Sequence, residues 1–489
     1  MHESLTFGLL VLCVGGAGLV AVQSHALTRW VRIPAPALFL VVASAVAQIP
    51  GVPEPSHQTV ERVVTLALVV ILFDGGMHIG ARRMRTAAPA VLTLGVVGTF
   101  ATVAGAALLV HVLLGVSWYL SVLVATAISP TDPAVVFSVL GQREVQGPSG
   151  TVLEGESGAN DPVGIALMAA LISAGSLSSG ALGGVAGTFL LQMGVGATVG
   201  LVGARLLLLA MRRVPLPAEG LHAVRVLVSV TLLFGIATVA HGSGFLAVFV
   251  AGIALGDERA PYKREIERFH SALASLAEVI AFAMLGFTVD LHELSRTDVW
   301  VPGVVIGLAL ALVVRPAVGL PLLLPVRLTS RERTFVLFAG LKGAVPLLLG
   351  TLLLPLPHGH RAYGVVVIVV MVSVVGQGSL VPTVARLMRI EMRAVEQEPY
   401  TLGVRLRDAP QGAHRLTVQA GSQATGSALA NLPGLAEGTW VSAIVRDGQL
   451  VPVRAHTELA VGDEVLLLID PEQHDADVLC LFAPISTDR

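Results

Sequence analysis

The chain has 489 residues, 54% of them hydrophobic and 13% charged, with a mean hydropathy of +0.79 and a formal net charge of −2. That balance is the composition of a polytopic α-helical membrane protein, and nothing in the charge suggests nucleic-acid binding. The two cysteines, Cys13 and Cys480, lie in regions of opposite character, so no disulfide is expected.

The first apolar run, Gly8 to Val22, has no basic leader and no convincing cleavage site, and reads as a retained span rather than a signal peptide. Segments able to cross a bilayer fall near residues 8–24, 34–50, 60–79, 88–113, 117–140, 151–174, 183–210 and 221–241. The series continues near 245–256, 269–289, 300–325, 333–355 and 362–388, thirteen in all. Orientation follows from the short loops. One set holds Arg29, Arg32, Arg82, Arg83, Arg85, Arg143, Arg212, Arg213, Arg225, Arg259, Lys263, Arg264, Arg268, Arg327, Arg331, Arg333, Arg386, Arg389 and Arg393. The other holds only Arg62, Arg296 and Arg361. The N-terminus is therefore expected outside and the C-terminus in the cytoplasm of a cell-membrane protein.

In the third span, Leu72-Phe-Asp-Gly-Gly76 places an acid, Asp74, in the membrane, either supporting a site or solvated near one face. The fifth span carries Ser129-Pro-Thr-Asp-Pro133. Its prolines remove backbone donors and disfavour helix before each ring, which predicts a broken helix around Thr131 and Asp132. The bland alternative is a proline kink. Free carbonyls at such a break suit a hard monovalent cation, and Asp132 can offset a positive helix end.

The sixth span opens with Leu153-Glu-Gly-Glu-Ser-Gly-Ala-Asn-Asp-Pro-Val-Gly-Ile-Ala166. On a helix Ser157 shares a face with Asp161, and Glu156 with Asn160. Entry near Thr151 puts Asp161 roughly 15 Å deep, close to the bilayer midplane. A charge there costs at least ~2.5–3.5 kcal/mol, so this acid is a functional candidate, against the alternative of a packed ion pair.

The twelfth span carries Gly340-Leu-Lys-Gly-Ala-Val-Pro346, a second interrupted segment, and Lys342 is expected to pair with Glu156 or Asp132. Spans five and twelve run in opposite directions at matched places in two six-span halves around span seven. That arrangement predicts a transport site between them. Arg315, before Pro316, reads as a structural partner, and His78, His111, His241, His358 and His360 as surface or interface residues. No metal-ligand spacing, nucleophile elbow, phosphate loop or other cofactor motif stands out.

Past Leu387 the character changes. Met388–Gln397 reads as a charged, helix-compatible linker, and from Leu402 onward a small soluble α+β domain is predicted. Its strands are expected at Leu416–Val418, Trp440–Val445, Gln449–Val453 and Glu464–Ile469, with an Asp447-Gly448 hairpin turn. The boundaries read 1–390 for the membrane domain, 391–401 for the linker and 402–489 for the tail.

Taken together, Gly155-Glu-Ser…Asn160-Asp161, Thr131-Asp132, Phe73-Asp-Gly-Gly76 and Gly340-Leu-Lys-Gly-Ala344 resemble bacterial monovalent cation:proton antiporters of the NhaP-like branch, over roughly residues 5–390. The resemblance implies an inverted-repeat fold with crossed broken helices, a dimerisation domain and a homodimer. It implies that Asp161 binds cation or proton, with Ser157, Asp132 and the Thr131 carbonyl as further ligands and Glu156 and Asn160 as supports. That family usually has Arg at the Lys342 position and often Glu at the Asp74 position. Its Asn-Asp pair accompanies electroneutral exchange. The tail, Gly426 to Ile469 with Arg446-Asp-Gly448 and Gly462-Asp463, resembles the RCK-C regulatory subdomain of potassium channels and transporters. This implies a regulatory role, a small nucleotide as its ligand, and potassium as the ion.

The expected function is secondary exchange of K⁺ or Na⁺ for H⁺, serving cation, pH and volume homeostasis, with membrane lipid as surroundings and no enzymatic reaction. Two rivals are a tail-gated cation channel and an intramembrane hydrolase using Ser157. The sequence shows no repeated filter loop for the first and no adjacent histidine or lysine for the second.

Overall fold

The computed structural model describes residues 34–49, 52, 55–140, 143–145, 147–258, 260, 262–394, 413–432, 439–446, 449–469 and 481–482. The first expected span with Cys13, Arg29 and Arg32, the Asp447-Gly448 turn, Cys480 and the linker beyond Ala394 lie outside these residues. The chain forms two compact units, residues 1–396 and 397–489.

Each expected span from the second onward has a helical segment in its place. The first stretch gives α1 (Ala35–Ala47), α2 (His57–Leu92), a π-helical segment π1 (Thr93–Gly98) and α3 (Thr99–Leu114). α4 (Trp118–Ala127) and α5 (Pro133–Leu140) are the halves of the fifth span, and α6 (Pro148–Ala174) is the sixth. Then come α7 (Ser179–Arg213), α8 (Glu219–Val239), α9 (Gly244–Gly256), α10 (Lys263–Gly286) and the short α11 (Leu291–Ser295). The eleventh span is α12 (Thr297–Ala309), π2 (Leu310–Val314) and α13 (Arg315–Leu323). α14 (Ser330–Phe338) and α15 (Ala344–Thr351) divide the twelfth, and α16 (Gly359–Met371), π3 (Val372–Gln377) and α17 (Gly378–Leu387) form the last. Among the described residues, six helical stretches are long and apolar enough to cross a membrane. The outer faces match this: Leu190, Leu206, Val228 and Leu232 are more than half exposed, an apolar surface suited to lipid.

Close helix contacts are made by small residues. A Cβ on Gly76 would sit 2.5 Å from the Phe249 carbonyl, and one on Gly256 2.5 Å from that of Met77, so α2 and α9 approach backbone to backbone. Gly80 (φ 68°) breaks α2, and the Asp257 carboxylate accepts the Arg82 N–H where the helix resumes.

The expected helical linker is corrected in part. Met392–Ala394 is a strand (β2) paired antiparallel with Arg143–Val145 (β1), in register Val145↔Met392. The last helix ends at Leu387, and Arg389 takes a left-handed backbone (φ 53°), which turns the chain into extended structure.

The second unit holds a four-stranded antiparallel sheet of order β3-β6-β4-β5, formed by β3 (Ala413–Thr417), β4 (Thr439–Arg446), β5 (Gln449–Val451) and β6 (Glu464–Ile469). β6 alternates cleanly, burying Val465, Leu467 and Ile469 against Val418, Ile444 and Leu459. Asp463 is fully buried, accepts both Arg446 Nε and Nη2 at 2.8 Å and the Ala460 N–H at 2.8 Å, and locks β4 to the turn before β6. That guanidinium holds the Asp463 carboxyl below its usual value of 3.8.

Candidate ion-binding site

Two helices stop in mid-span and meet. α4 ends at Ala127, ahead of Pro130 and Pro133, and α5 restarts on Pro133; α14 ends at Phe338 and α15 starts at Ala344. Their broken stretches pair through backbone, Asp132 N–H donating to the Leu341 carbonyl at 2.8 Å. The Asp132 carboxylate accepts the Ala134 N–H in α5 at 2.8 Å and faces the backbone N–H groups of Val135 and of Ala344 at the start of α15. One anion thus serves the unpaired first-turn donors and positive dipole ends of two half-helices. Only glycine permits this at 343, because a Cβ there would collide with the Asp132 carboxylate.

The carbonyl ends are met by cations. Lys342 Nζ donates to the Ser129 carbonyl beyond α4 at 2.8 Å. Arg315 Nε donates to the Leu337 carbonyl at the end of α14 at 2.8 Å. Gln377 Nε2 donates to the Phe338 carbonyl, and the Ser373 hydroxyl accepts the Lys342 N–H at 3.0 Å. Ser373 and Gln377 belong to π3, and Arg315 directly follows π2. Gly95 of π1 packs on the Glu156 carbonyl, so all three π segments flank the crossing, a frequent feature of functional sites.

α6 brings the acids to this crossing. Its glycines allow the approach: a Cβ on Gly164 would lie 2.7 Å from Pro130, and one on Gly158 would enter the Phe249 ring. Asn160 reads Thr131 twice, its Oδ1 accepting the Thr131 N–H at 3.2 Å and its Nδ2 donating to Thr131 Oγ1 at 2.8 Å. The Ser157 and Thr131 hydroxyls are 3.0 Å apart. Asp161, only 7% exposed, keeps Oδ1 sealed from solvent with no hydrogen-bond partner among the described residues. Asp132 and Lys342 are the charged groups whose fields it feels.

The expected pairing of Lys342 with Glu156 or Asp132 is replaced by another. Arg315 holds Glu156 in a fork, Nη1 to Oε1 at 2.8 Å and Nη2 to Oε2 at 3.0 Å. The planar guanidinium satisfies both carboxylate oxygens and the end of α14 at once, which an ammonium cannot do. Lys342 is left to cap the other broken helix.

The crossing therefore gathers Thr131, Asp132, Ser157, Asn160, Asp161 and Lys342, with Glu156 behind Arg315. Asp74 stands in a different group: it accepts from Ser271 Oγ at 3.0 Å and lies 3.4 Å from His78 Nδ1. Ser157 meets the hydroxyl of Thr131. Reading the sequence missed Ser373, Gln377 and Glu278. The last has a plain signal, a single acid inside the apolar run Ala277-Glu-Val-Ile-Ala-Phe282.

A polytopic helical protein whose two interrupted helices cross beside a buried carboxylate has the build of a secondary ion transporter. The chain belongs to the sodium/hydrogen exchanger family, whose transmembrane region matches residues 17–387, and so to the cation:proton antiporters. It is 33% identical over 395 residues to the K(+)/H(+) antiporter NhaP of Alkalimonas amylolytica, covering 78% of this chain and 67% of the relative. To the K(+)/H(+) antiporter NhaP2 of Shewanella sp. (strain MR-4) it is 29% identical over 433 residues, covering 86% and 73%. The solved structure of the sodium proton antiporter MjNhaP1 from Methanocaldococcus jannaschii shares the fold, with a TM-score of 0.66 at 21% identity, covering 78% of this chain and all of that one.

Proposed function

We propose that this protein exchanges K⁺, with Na⁺ as the second candidate, for H⁺, and that Asp161 is the carboxylate the two ions share. The observation that carries this is the Asp161 Oδ1 atom, buried without a hydrogen-bond partner among the described residues, one helical turn from the Ser157 hydroxyl that meets Thr131 and within the field of Asp132. A carboxylate in that position is satisfied either by a desolvated monovalent cation or by a proton, and competition between them couples the fluxes. Ser157, Asp132 and the Thr131 carbonyl complete the cation's oxygen shell. Glu156, fixed by Arg315, and Asn160, fixed by Thr131, hold that shell in shape, and Lys342 balances the excess of carboxylates. Asp74 acts at a distance from the shell.

Potassium is supported by the names of the NhaP and NhaP2 relatives and by the RCK-C-like tail, sodium by that of the MjNhaP1 neighbour. With Asn160 beside Asp161, one proton exchanges for one cation and no net charge moves. The protein works as a homodimer in the lipid of the cell membrane, N-terminus outside and C-terminus in the cytoplasm. The tail, residues 402–489, is a regulatory domain that takes a small nucleotide. Purified protein in proteoliposomes tests the whole reading: a trapped pH dye should dequench on addition of K⁺ and more weakly with Na⁺ or Li⁺. No ion-dependent proton flux with any of the three would reject it.

A further inference from the structure

The chain between α14 and α15, Ala339 to Gly343, is irregular. It carries Lys342, whose Nζ reaches the Ser129 carbonyl at 2.8 Å, and its Leu341 carbonyl receives the Asp132 N–H at 2.8 Å. The shape of this stretch therefore sets where the ammonium and the Asp132 backbone stand. Packing leaves it slack on one side. A cavity of about 20 Å³ lies against Gly340 and Lys342, with Leu310, Val369, Ser373 and Gln377 also in its lining.

Two side chains of π3 supply what packing lacks there. Gln377 Nε2 donates to the carbonyl of Phe338, the last residue of α14, and Ser373 Oγ accepts the Lys342 N–H at 3.0 Å. The Ser373 hydroxyl in turn donates to Gln377 Oε1 at 3.3 Å. The two residues, four apart on one face of π3, thus form a single bridge that grips the stretch at both ends. They are 6% and 9% exposed, so water competes little for these bonds. Plain helix capping does not account for the pair. Arg315 already serves the end of α14 through the Leu337 and Val336 carbonyls, and the Lys342 N–H lies outside either half-helix.

We propose that Ser373 and Gln377 are positioning residues for the exchanged cation. They act through the backbone from Phe338 to Lys342, and not as ligands. By fixing that backbone they hold Lys342 and Asp132 in place beside Asp161, and so set the affinity of the site for K⁺. The inference rests on Asp161 and Asp132 forming the exchanging site.

The test compares Ser373→Ala, Ser373→Thr, Gln377→Met and the Ser373→Ala/Gln377→Met double variant with the unaltered protein in proteoliposomes. Maximal exchange rate and half-saturation for K⁺ are recorded. Methionine keeps roughly the length of glutamine without its amide, and threonine keeps the hydroxyl. Positioning predicts a half-saturation raised at least about fivefold in Ser373→Ala and in Gln377→Met, and restored to within about twofold in Ser373→Thr. The double variant should lose less than the product of the single losses, because each side chain holds the other. A purely structural role would not move half-saturation: a misfolded fraction lowers the maximal rate and leaves the remaining molecules unchanged. Parent half-saturation in Ser373→Ala or Gln377→Met, or a Ser373→Thr variant as impaired as Ser373→Ala, would overturn the positioning role. Losses that multiply in the double variant would overturn the bridge. If Gln377→Met elutes aggregated, the two Ser373 variants decide alone by the same criteria. Asp161→Asn measured in parallel separates the two readings. Exchange surviving in that variant removes the site assignment itself, whereas an inactive Asp161→Asn beside parent-like Ser373 and Gln377 variants removes only the positioning.

Discussion

Lys342 donates to the carbonyl of Ser129 at 2.8 Å, so a cation on one broken helix closes the open end of the other. The same division of labour places Arg315 on Glu156 and on the end of α14. Replacing Lys342 by Ala leaves the Ser129 carbonyl buried without that donor, a cost of roughly 1–3 kcal/mol. Lys342→Arg should retain activity, and Lys342→Ala should lose thermal stability in detergent, exchange, or both. Unchanged stability and pH profile in the alanine variant would contradict the capping role.

Breaking the Glu156–Arg315 fork should cost more. Removing one partner of a buried ion pair costs about 3–5 kcal/mol, because the other charge stays behind. Arg315→Met is therefore expected to lower the unfolding midpoint more than Lys342→Ala, and Glu156→Gln combined with it should recover part of the loss. Thermal unfolding of the single and double variants checks the coupling, and additive losses would show the pair to be independent.

The spans from the second onward, the two breaks and the clustering of residues 131, 132, 157, 160, 161 and 342 were legible in the sequence, because prolines, glycines and intramembrane acids are local signals. Partner choice was not. Nothing near Glu156 in sequence distinguishes Lys342 from Arg315, since that choice depends on which side chain reaches both carboxylate oxygens and the end of α14. The π segments were equally invisible, as their Val-rich sequences read like the apolar helix on either side of them. The strand Met392–Ala394 depends on a partner some 250 positions earlier, Arg143–Val145. Glu278 could have been picked out by the same rule that selected Asp161.

Gly343→Ala should be among the most damaging small substitutions. The added methyl displaces the Asp132 carboxylate from the starts of α5 and α15, and overpacking of this kind typically costs about 1–3 kcal/mol. Exchange is expected to fall at least about tenfold, since tenfold corresponds to ~1.4 kcal/mol of misplacement. Gly376→Ala is the control, because its Cβ would meet open space, and it should leave the rate unchanged. Equal rates in the two variants would argue against a tight cap.

In the tail, Asp463 is held below its ordinary value of 3.8 chiefly by the hydrogen bond from Arg446. A depressed carboxyl contributes stability above its unfolded-state value and loses it as pH falls through the lower folded-state value. Hydrogen-exchange protection of β6 in the full chain should therefore exceed that of an Asp463→Asn variant near neutrality, and the difference should vanish in strong acid. A difference that persists there would exclude the charge as its source.

One-for-one exchange moves no charge, whereas each uncompensated charge would respond to voltage by ~2.3 kcal/mol per 100 mV. Initial exchange rates should be insensitive to an imposed membrane potential set without potassium. A clear acceleration at fixed ion and proton gradients would show a second titrating group moving with the cation.

The proposed exchange turns on one carboxylate that alternates between cation and proton. The most direct measurement is cation-dependent proton flux through Asp161→Asn in proteoliposomes, with folding checked by monodisperse elution and an unfolding midpoint near that of the parent. Asparagine keeps the shape but neither titrates nor balances a cation's charge. A correctly folded protein with no exchange at any pH for K⁺ or Na⁺ is the expected result; exchange at a rate comparable to the parent would remove Asp161 as the shared carboxylate.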